Sequence, residues 1–156
     1  MEKLKIILKI LYILEKQDFG KTFLSEAIGQ ELLKKGNTVL YQTVPKLLSK
    51  LMEYKVLDIK KYNEMEDFLS TVDLLILDDF GSENITEAKK EEILNIINSR
   101  INNQKSMIIS TNLSLKDIYK VYTDRVVSRI IGEFKGYNFK GADIRILKAK
   151  EQRKAG

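Results

Sequence analysis

The chain has 156 residues, of which 44% are apolar, enough to fill one domain core and too few for two domains. It contains no cysteine and no histidine. That excludes a disulfide framework, a thiolate metal site and an imidazole general base, and leaves carboxylates, Lys, Arg, Thr, Asn and a hard cation such as Mg2+ as the available chemistry. The net charge of +5 is unevenly spread: residues 1–62 carry +5, residues 63–97 carry −8 and residues 98–156 carry +8. An acidic middle between basic flanks suits a metal–nucleotide site beside polyanion-binding surfaces, or a set of solvated helix faces.

The N-terminal stretch MEKLKIILKILYILEKQ mixes lysine with apolar residues. Lys5 and Lys9 break its apolar run, no small-residue cleavage site follows, and no segment reaches the ~20 apolar residues a membrane helix needs. A cytoplasmic protein with no membrane partner is the expectation. Residues 10–14 (ILYIL) read as a buried strand. After them comes Glu15-Lys16-Gln17-Asp18-Phe19-Gly20-Lys21-Thr22, and then a helix over 22–35 with Phe23, Leu24, Ala27, Ile28, Glu31 and Leu32 as a nearly apolar stripe. Gly-Lys-Thr at a helix start is the second half of a phosphate-binding P-loop. Free N–H groups and the helix dipole attract phosphate there. In that role Gly20 would permit close backbone approach, Lys21 would reach the β- and γ-phosphates and the Thr22 hydroxyl would bind Mg2+; the alternative is an ordinary helix start with Lys21 in solvent. The first half of the motif departs from the pattern. Glu15 stands where the leading glycine belongs, and Asp18 where many such loops have another.

Residues 38–42 (TVLYQ) read as a second strand and 45–52 as a short helix with Pro45 in its first turn. Lys46, Lys50, Lys55, Lys60 and Lys61 cluster beyond that strand with Tyr54 and Tyr62 among them. Such a set can track and stack single-stranded DNA, or simply form a solvated face. Residues 72–77 (VDLLIL) are the most strand-like segment and end in Asp78-Asp79. An apolar strand ending in two acids matches the Walker B arrangement, in which Asp78 would hold Mg2+ through water and Asp79 would orient or deprotonate the attacking water, or else a solvated strand-to-loop turn. Residues 86–101 read as a helix, 107–110 (MIIS) as a strand followed by Thr111-Asn112, and 115–122 and 124–131 as short helices. Arg125 and Arg129 are four apart and share a helical face, suited to an arginine finger or to surface ion pairs with Asp124 or Glu133. Residues 134–139 and 143–147 read as a final strand pair or one interrupted strand. Strands alternating with helices predict an α/β fold with a parallel, helix-covered sheet, its function at the carboxyl ends of the strands.

The stretches FGKTFLSEAIGQELLKKGNTVLYQT, VDLLILDDFGSENIT and LNIINSRINNQKSMIISTNLSLKDIYKVYTDRVVSRIIGEFKGYNFKGADIR together resemble the ATPase domain of the DnaC/IstB family, over roughly residues 19–148. The resemblance implies an AAA+ P-loop NTPase, an αβα sandwich on a parallel five-stranded sheet with little or no lid. It implies ATP and Mg2+ as cofactors. Lys21 and Thr22 become the Walker A pair, Asp78 and Asp79 the Walker B pair, Asn112 sensor 1 and Arg129 the arginine finger, with Arg125 a second candidate. Arg145 lies where the family's C-terminal arginine sits and would sense nucleotide. The implied organisation is an extension over 1–9, the ATPase core over 10–148 and a basic tail over 149–156. The implied role is assistance to replicative helicase loading on single-stranded DNA, as a homo-oligomer. Family loaders carry an N-terminal helicase-binding domain, and little here precedes the first strand, so the resemblance does not carry that contact over. Two alternatives share the fold: a pseudo-ATPase assembly module, favoured by Glu15 and Asp18, and a transposition helper of the IstB type.

Overall fold

The computed structural model describes residues 7–14, 19–81 and 84–139. In chain order they form β1 (Lys9–Leu14), α1 (Phe19–Lys34), β2 (Val39–Thr43), α2 (Val44–Leu57), α3 (Ile59–Thr71), β3 (Leu74–Asp78), α4 (Glu87–Asn102), β4 (Ser106–Thr111), α5 (Leu115–Val121), α6 (Asp124–Glu133) and β5 (Lys135–Phe139). The five strands make one sheet in the order β2-β3-β4-β1-β5, and every pairing is parallel. Among the described residues no helix is long and apolar enough to cross a membrane.

The central strands are apolar on both faces because helices cover both. Leu74 and Ile76 of β3 and Ile108 of β4 pack with Leu24, Ile28 and Leu32 of α1. The alternate residues Leu75, Leu77 and Ile109 belong to a larger core built with α2 through α6. The result is three layers: α1, the sheet, and the remaining helices. Leu24, Ile28 and Leu32 of the α1 stripe and the inner residues Ile93, Leu94, Ile96 and Ile97 of α4 fall where their spacing predicts; Ala27 and Glu31 of that stripe are exposed instead, and the side chain of Phe23 lies outside the described residues.

Two expectations need correction. The helix expected over 45–52 runs from Val44 to Leu57, and a further helix, α3, fills the stretch up to β3. Asp58 separates the two and caps α3 by accepting Lys61 N–H at 3.2 Å. The α3 core residues Tyr62 and Leu69 are seven apart, two helical turns, so the periodicity was present in a segment otherwise dominated by charge. The strand expected over 72–77 begins two residues later, because Arg100 takes the carbonyl of Asp73, and Thr38 takes its N–H and carboxylate. At the far end, β5 pairs parallel with β1. Residues 143–147 lie outside the described residues.

Candidate functional site

Parallel strands bring all their carboxyl ends to one edge of the sheet. Register places Ile13 beside Thr111 and Leu77 beside Ile109, so the segments after β1, β3 and β4 emerge together. Gly20, Lys21 and Thr22 lie in the first turn of α1, which begins at Phe19, three residues before the expected start. That turn carries no acidic residue, and its N–H groups have no intrahelical partner. The side chains of Lys21 and Thr22, the loop residues Glu15 and Asp18, and Arg145 lie outside the described residues.

Asp78 ends β3 with only 6% of its surface exposed. It has the strand parity of Leu74 and Ile76, so it faces the α1 side of the sheet. Two other strands reach it on that side. Ser110 Oγ of β4 donates to Oδ1 at 2.7 Å, and the Tyr41 hydroxyl of β2 donates to Oδ2. The Asp79 N–H also donates to Oδ1, at 2.8 Å. Burial, the bond to Asp78 and the nearby charges of Asp78, Asp79 and Glu26, in that order, push the Tyr41 hydroxyl well above its ordinary pKa, so it remains a donor at neutral pH. Neither Tyr41 nor Ser110 was singled out from sequence. Each is a polar residue in an otherwise apolar strand, but only the strand order makes them neighbours of Asp78.

Immediately beyond Asp78 the chain reverses. Asp79 takes φ +54° and Gly81 φ +89°, both left-handed. The Phe80 N–H returns to the Ser110 carbonyl at 3.0 Å. Thr111, fully buried, donates its hydroxyl to the Phe80 carbonyl at 2.6 Å and accepts the Leu113 N–H at 3.1 Å. The Phe80 ring stacks on Tyr122, centroids 4.2 Å apart. These contacts lock the loop after β3 to the loop after β4, leaving Asp79 half-buried and Asn112 exposed at the same edge. The buried, oriented carboxylate of Asp78 has the hard oxygen donors that Mg2+ with its water shell requires, so its chemistry fits the cation.

Arg125 and Arg129 are both exposed to solvent. α6 buries Val126, Val127 and Ile130 and exposes both arginines. Arg125 pairs with Glu91 of α4 at 3.8 Å and Glu133 with Lys9 at 3.1 Å, not with Arg125 or Arg129. The basic cluster after β2 is only partly a free surface. Lys46, Lys50, Lys60 and Lys61 are exposed, but Lys55 pairs at 2.8 Å with Glu92, a carboxylate 1% exposed. Tyr62 is buried, and its hydroxyl donates to Glu66 and Glu92, both at 2.8 Å, so it cannot stack a base. In its place the α2–α3 corner exposes Val56, Leu57 and Ile59.

Residues 10–134 match the family of IstB-like ATP binding proteins. The insertion-sequence ATP-binding protein y4pL of Sinorhizobium fredii is 28% identical over 131 residues, covering 81% of this chain and 52% of y4pL. The replicative helicase loader DnaC of Escherichia coli K12 is 30% identical over 117 residues, covering 74% of this chain and 47% of DnaC. The chain thus spans about half the length of these relatives. Among solved structures, the replication initiator DnaA bound to AMPPCP and single-stranded DNA superposes with a TM-score of 0.79 at 25% identity, over 94% of this chain and 46% of that one.

Proposed function

Because the chain belongs to the family of IstB-like ATP binding proteins, with the three-layer AAA+ fold, we propose that it binds ATP with Mg2+ at the carboxyl edge of its sheet. We propose further that it works there as a helicase-loader-type ATPase on single-stranded DNA. The observation that carries this reading is the buried Asp78 at the mouth of β3, on the sheet face covered by α1, whose first turn holds Gly20, Lys21 and Thr22. Lys21 and the first-turn N–H groups of α1 would hold the phosphates. Thr22 and Asp78 would hold the cation, Asp78 through its water. Bound Mg2+ would neutralise charge that develops on the transferred phosphoryl group. Asp79 would orient the attacking water and Asn112 would contact it and the γ-phosphate. Arg129, with Arg125 beside it, would act on a neighbouring subunit's nucleotide, which is what an outward-facing arginine pair favours; Arg145 would sense the bound nucleotide. The cytoplasm is the proposed place of work, and a replicative helicase and single-stranded DNA are the proposed partners.

Glu15 and Asp18 favour a second reading, an assembly module of the same fold without productive turnover. Their carboxylates are ionised at neutral pH. Two like charges at ~5 Å in an effective dielectric of ~20 repel by roughly 3 kcal/mol, so carboxylates that faced the phosphates would oppose ATP by two decades or more in affinity. The similarity to y4pL supports a third, a transposition helper with the same site and a different partner. Calorimetry with ATP and Mg2+ tests the core of the proposal. Weak binding by the chain is expected, strengthened at least tenfold by Glu15→Gly/Asp18→Gly. Sub-micromolar binding unchanged by the double substitution would show that the loop carboxylates do not face the phosphates. Binding by neither protein would overturn the nucleotide-binding reading.

A further inference from the structure

Two neighbouring strands and the next backbone N–H supply the donors that meet at Asp78, and they divide its two oxygens unequally. Oδ1 accepts from Ser110 Oγ at 2.7 Å and from the Asp79 N–H at 2.8 Å; Oδ2 accepts from the Tyr41 hydroxyl. The two bonds to Oδ1 orient the carboxylate without help from Tyr41. The Tyr41 bond lies on the other oxygen, the one that those two donors leave aside.

We propose that Tyr41 is a positioning residue that caps Oδ2 of Asp78 until a water of an arriving divalent cation replaces it. The inference rests on the reading of Asp78 as the carboxylate that holds Mg2+ through water. A metal-bound water is itself a hydrogen-bond donor, so it competes with the Tyr41 hydroxyl for the same oxygen. Tyr41 can yield. It stands on β2, the edge strand of the sheet, and is 38% exposed, so its ring can swing outward without opening the core. The surrounding charge favours the exchange. Asp78, Asp79 and Glu26 all act on the Tyr41 hydroxyl, and a cation stabilises that group of carboxylates better than a neutral phenol does. The cap keeps the buried carboxylate satisfied while no metal is present, at the expense of cation affinity.

Mn2+ binding to the full chain without nucleotide, followed by loss of the free-ion electron paramagnetic resonance signal, tests the cap. Asp78→Asn should lose the site, and Tyr41→Phe should bind about tenfold more tightly than wild type, the factor one net hydrogen bond represents. A purely structural Tyr41 would, when removed, weaken binding or leave it unchanged, and either result overturns the cap while leaving the metal reading intact. If no protein, Tyr41→Phe included, binds Mn2+ in a way that Asp78→Asn abolishes, the metal reading falls and the cap with it. Should Tyr41→Phe fail to fold, wild type labelled with 13C at tyrosine Cζ keeps the question open to decision. Saturating Mg2+ should shift the Tyr41 Cζ resonance as its hydroxyl leaves the carboxylate. A resonance that stays fixed while Asp78-dependent binding proceeds overturns the cap.

Discussion

At the scale of single residues, two charged groups, Asp73 and Arg100, are held by specific partners at one end of the sheet. The Asp73 carboxylate accepts the Thr38 N–H at 2.9 Å and the Thr38 hydroxyl at 3.2 Å, and Lys105 Nζ lies 3.4 Å away. The Thr38 N–H bond, then the Thr38 hydroxyl and Lys105, hold the Asp73 pKa below its ordinary value despite opposing desolvation. A folded-state pKa below the unfolded one means that the stabilisation is complete above the unfolded value, near 4, and is lost as pH falls through the folded value. Asp73→Asn should therefore lower stability at pH 7 and lower it less at pH 3. Urea unfolding at the two pH values measures this, and an equal loss at both would mean that the charge contributes nothing. Arg100 is the cationic counterpart at the same end of the sheet. Burial lowers its pKa to about 10, yet it stays charged at neutral pH and donates to the carbonyls of Leu69 and Ser106 at 2.6 Å each and of Asp73 at 3.3 Å. One side chain thereby satisfies carbonyls at the end of α3, before β3 and at the start of β4.

At the scale of elements, the loop after β3 is the part most constrained by backbone geometry. Helix starts are conventional: Thr86, Ser114 and Thr123 cap α4, α5 and α6 by accepting the N–H groups of Lys89, Asp117 and Val126. The loop depends instead on Gly81. A Cβ there would sit 2.3 Å from Leu113 Cδ1, on a backbone at φ +89° that L residues rarely adopt. Gly81→Ala should cost about 1–3 kcal/mol from overpacking and strain together. In a Leu113→Ala background the steric part should vanish and the backbone part remain. Urea unfolding of the four proteins of that cycle separates the two contributions. An unchanged penalty in the truncated background would mean that the clash is relieved elsewhere. The same loop places Asp79, so nucleotide binding by Gly81→Ala should fall together with stability.

At the scale of the whole molecule, the sheet arranges the charge that composition shows only in blocks. The acids of the middle segment include Asp78 and Asp79 at the carboxyl edge. Of the lysines of the first block, Lys46 and Lys50 of α2 and Lys60 and Lys61 of α3 are exposed, the latter two next to the apolar corner of Val56, Leu57 and Ile59. If that surface meets single-stranded DNA, affinity should fall steeply with salt. Replacing Lys46, Lys50 and Lys60 by alanine should reduce the slope of log K against log salt by roughly two, at about 0.7 per phosphate contact on a single strand. Fluorescence anisotropy with labelled oligonucleotides at several salt concentrations measures it. A slope unaffected by the substitutions would remove this surface from consideration.

Local pattern was enough to read the alternation of strands and helices, the α4 inner face, half of the α1 stripe and the position of two acids at a strand mouth. Each depends on contacts a few residues apart, which periodicity records directly. Gly20-Lys21-Thr22 at a helix start and Asp78-Asp79 at a strand end, on which the proposed site rests, are runs of adjacent residues and so stand out locally. What escaped depends on which distant segments meet. α3 is hard to read locally because its core residues are few among many charges, and Tyr62 reads as exposed, on a DNA surface or a solvated face, because its bond to Glu92 spans 30 residues. The bond from Tyr41 to Asp78 spans 37 residues, and Ser110 reaches the same carboxylate across 32. Those contacts exist because β2 and β4 flank β3, an order of strands that no local spacing encodes; only packing the sheet between its two helical layers decides it.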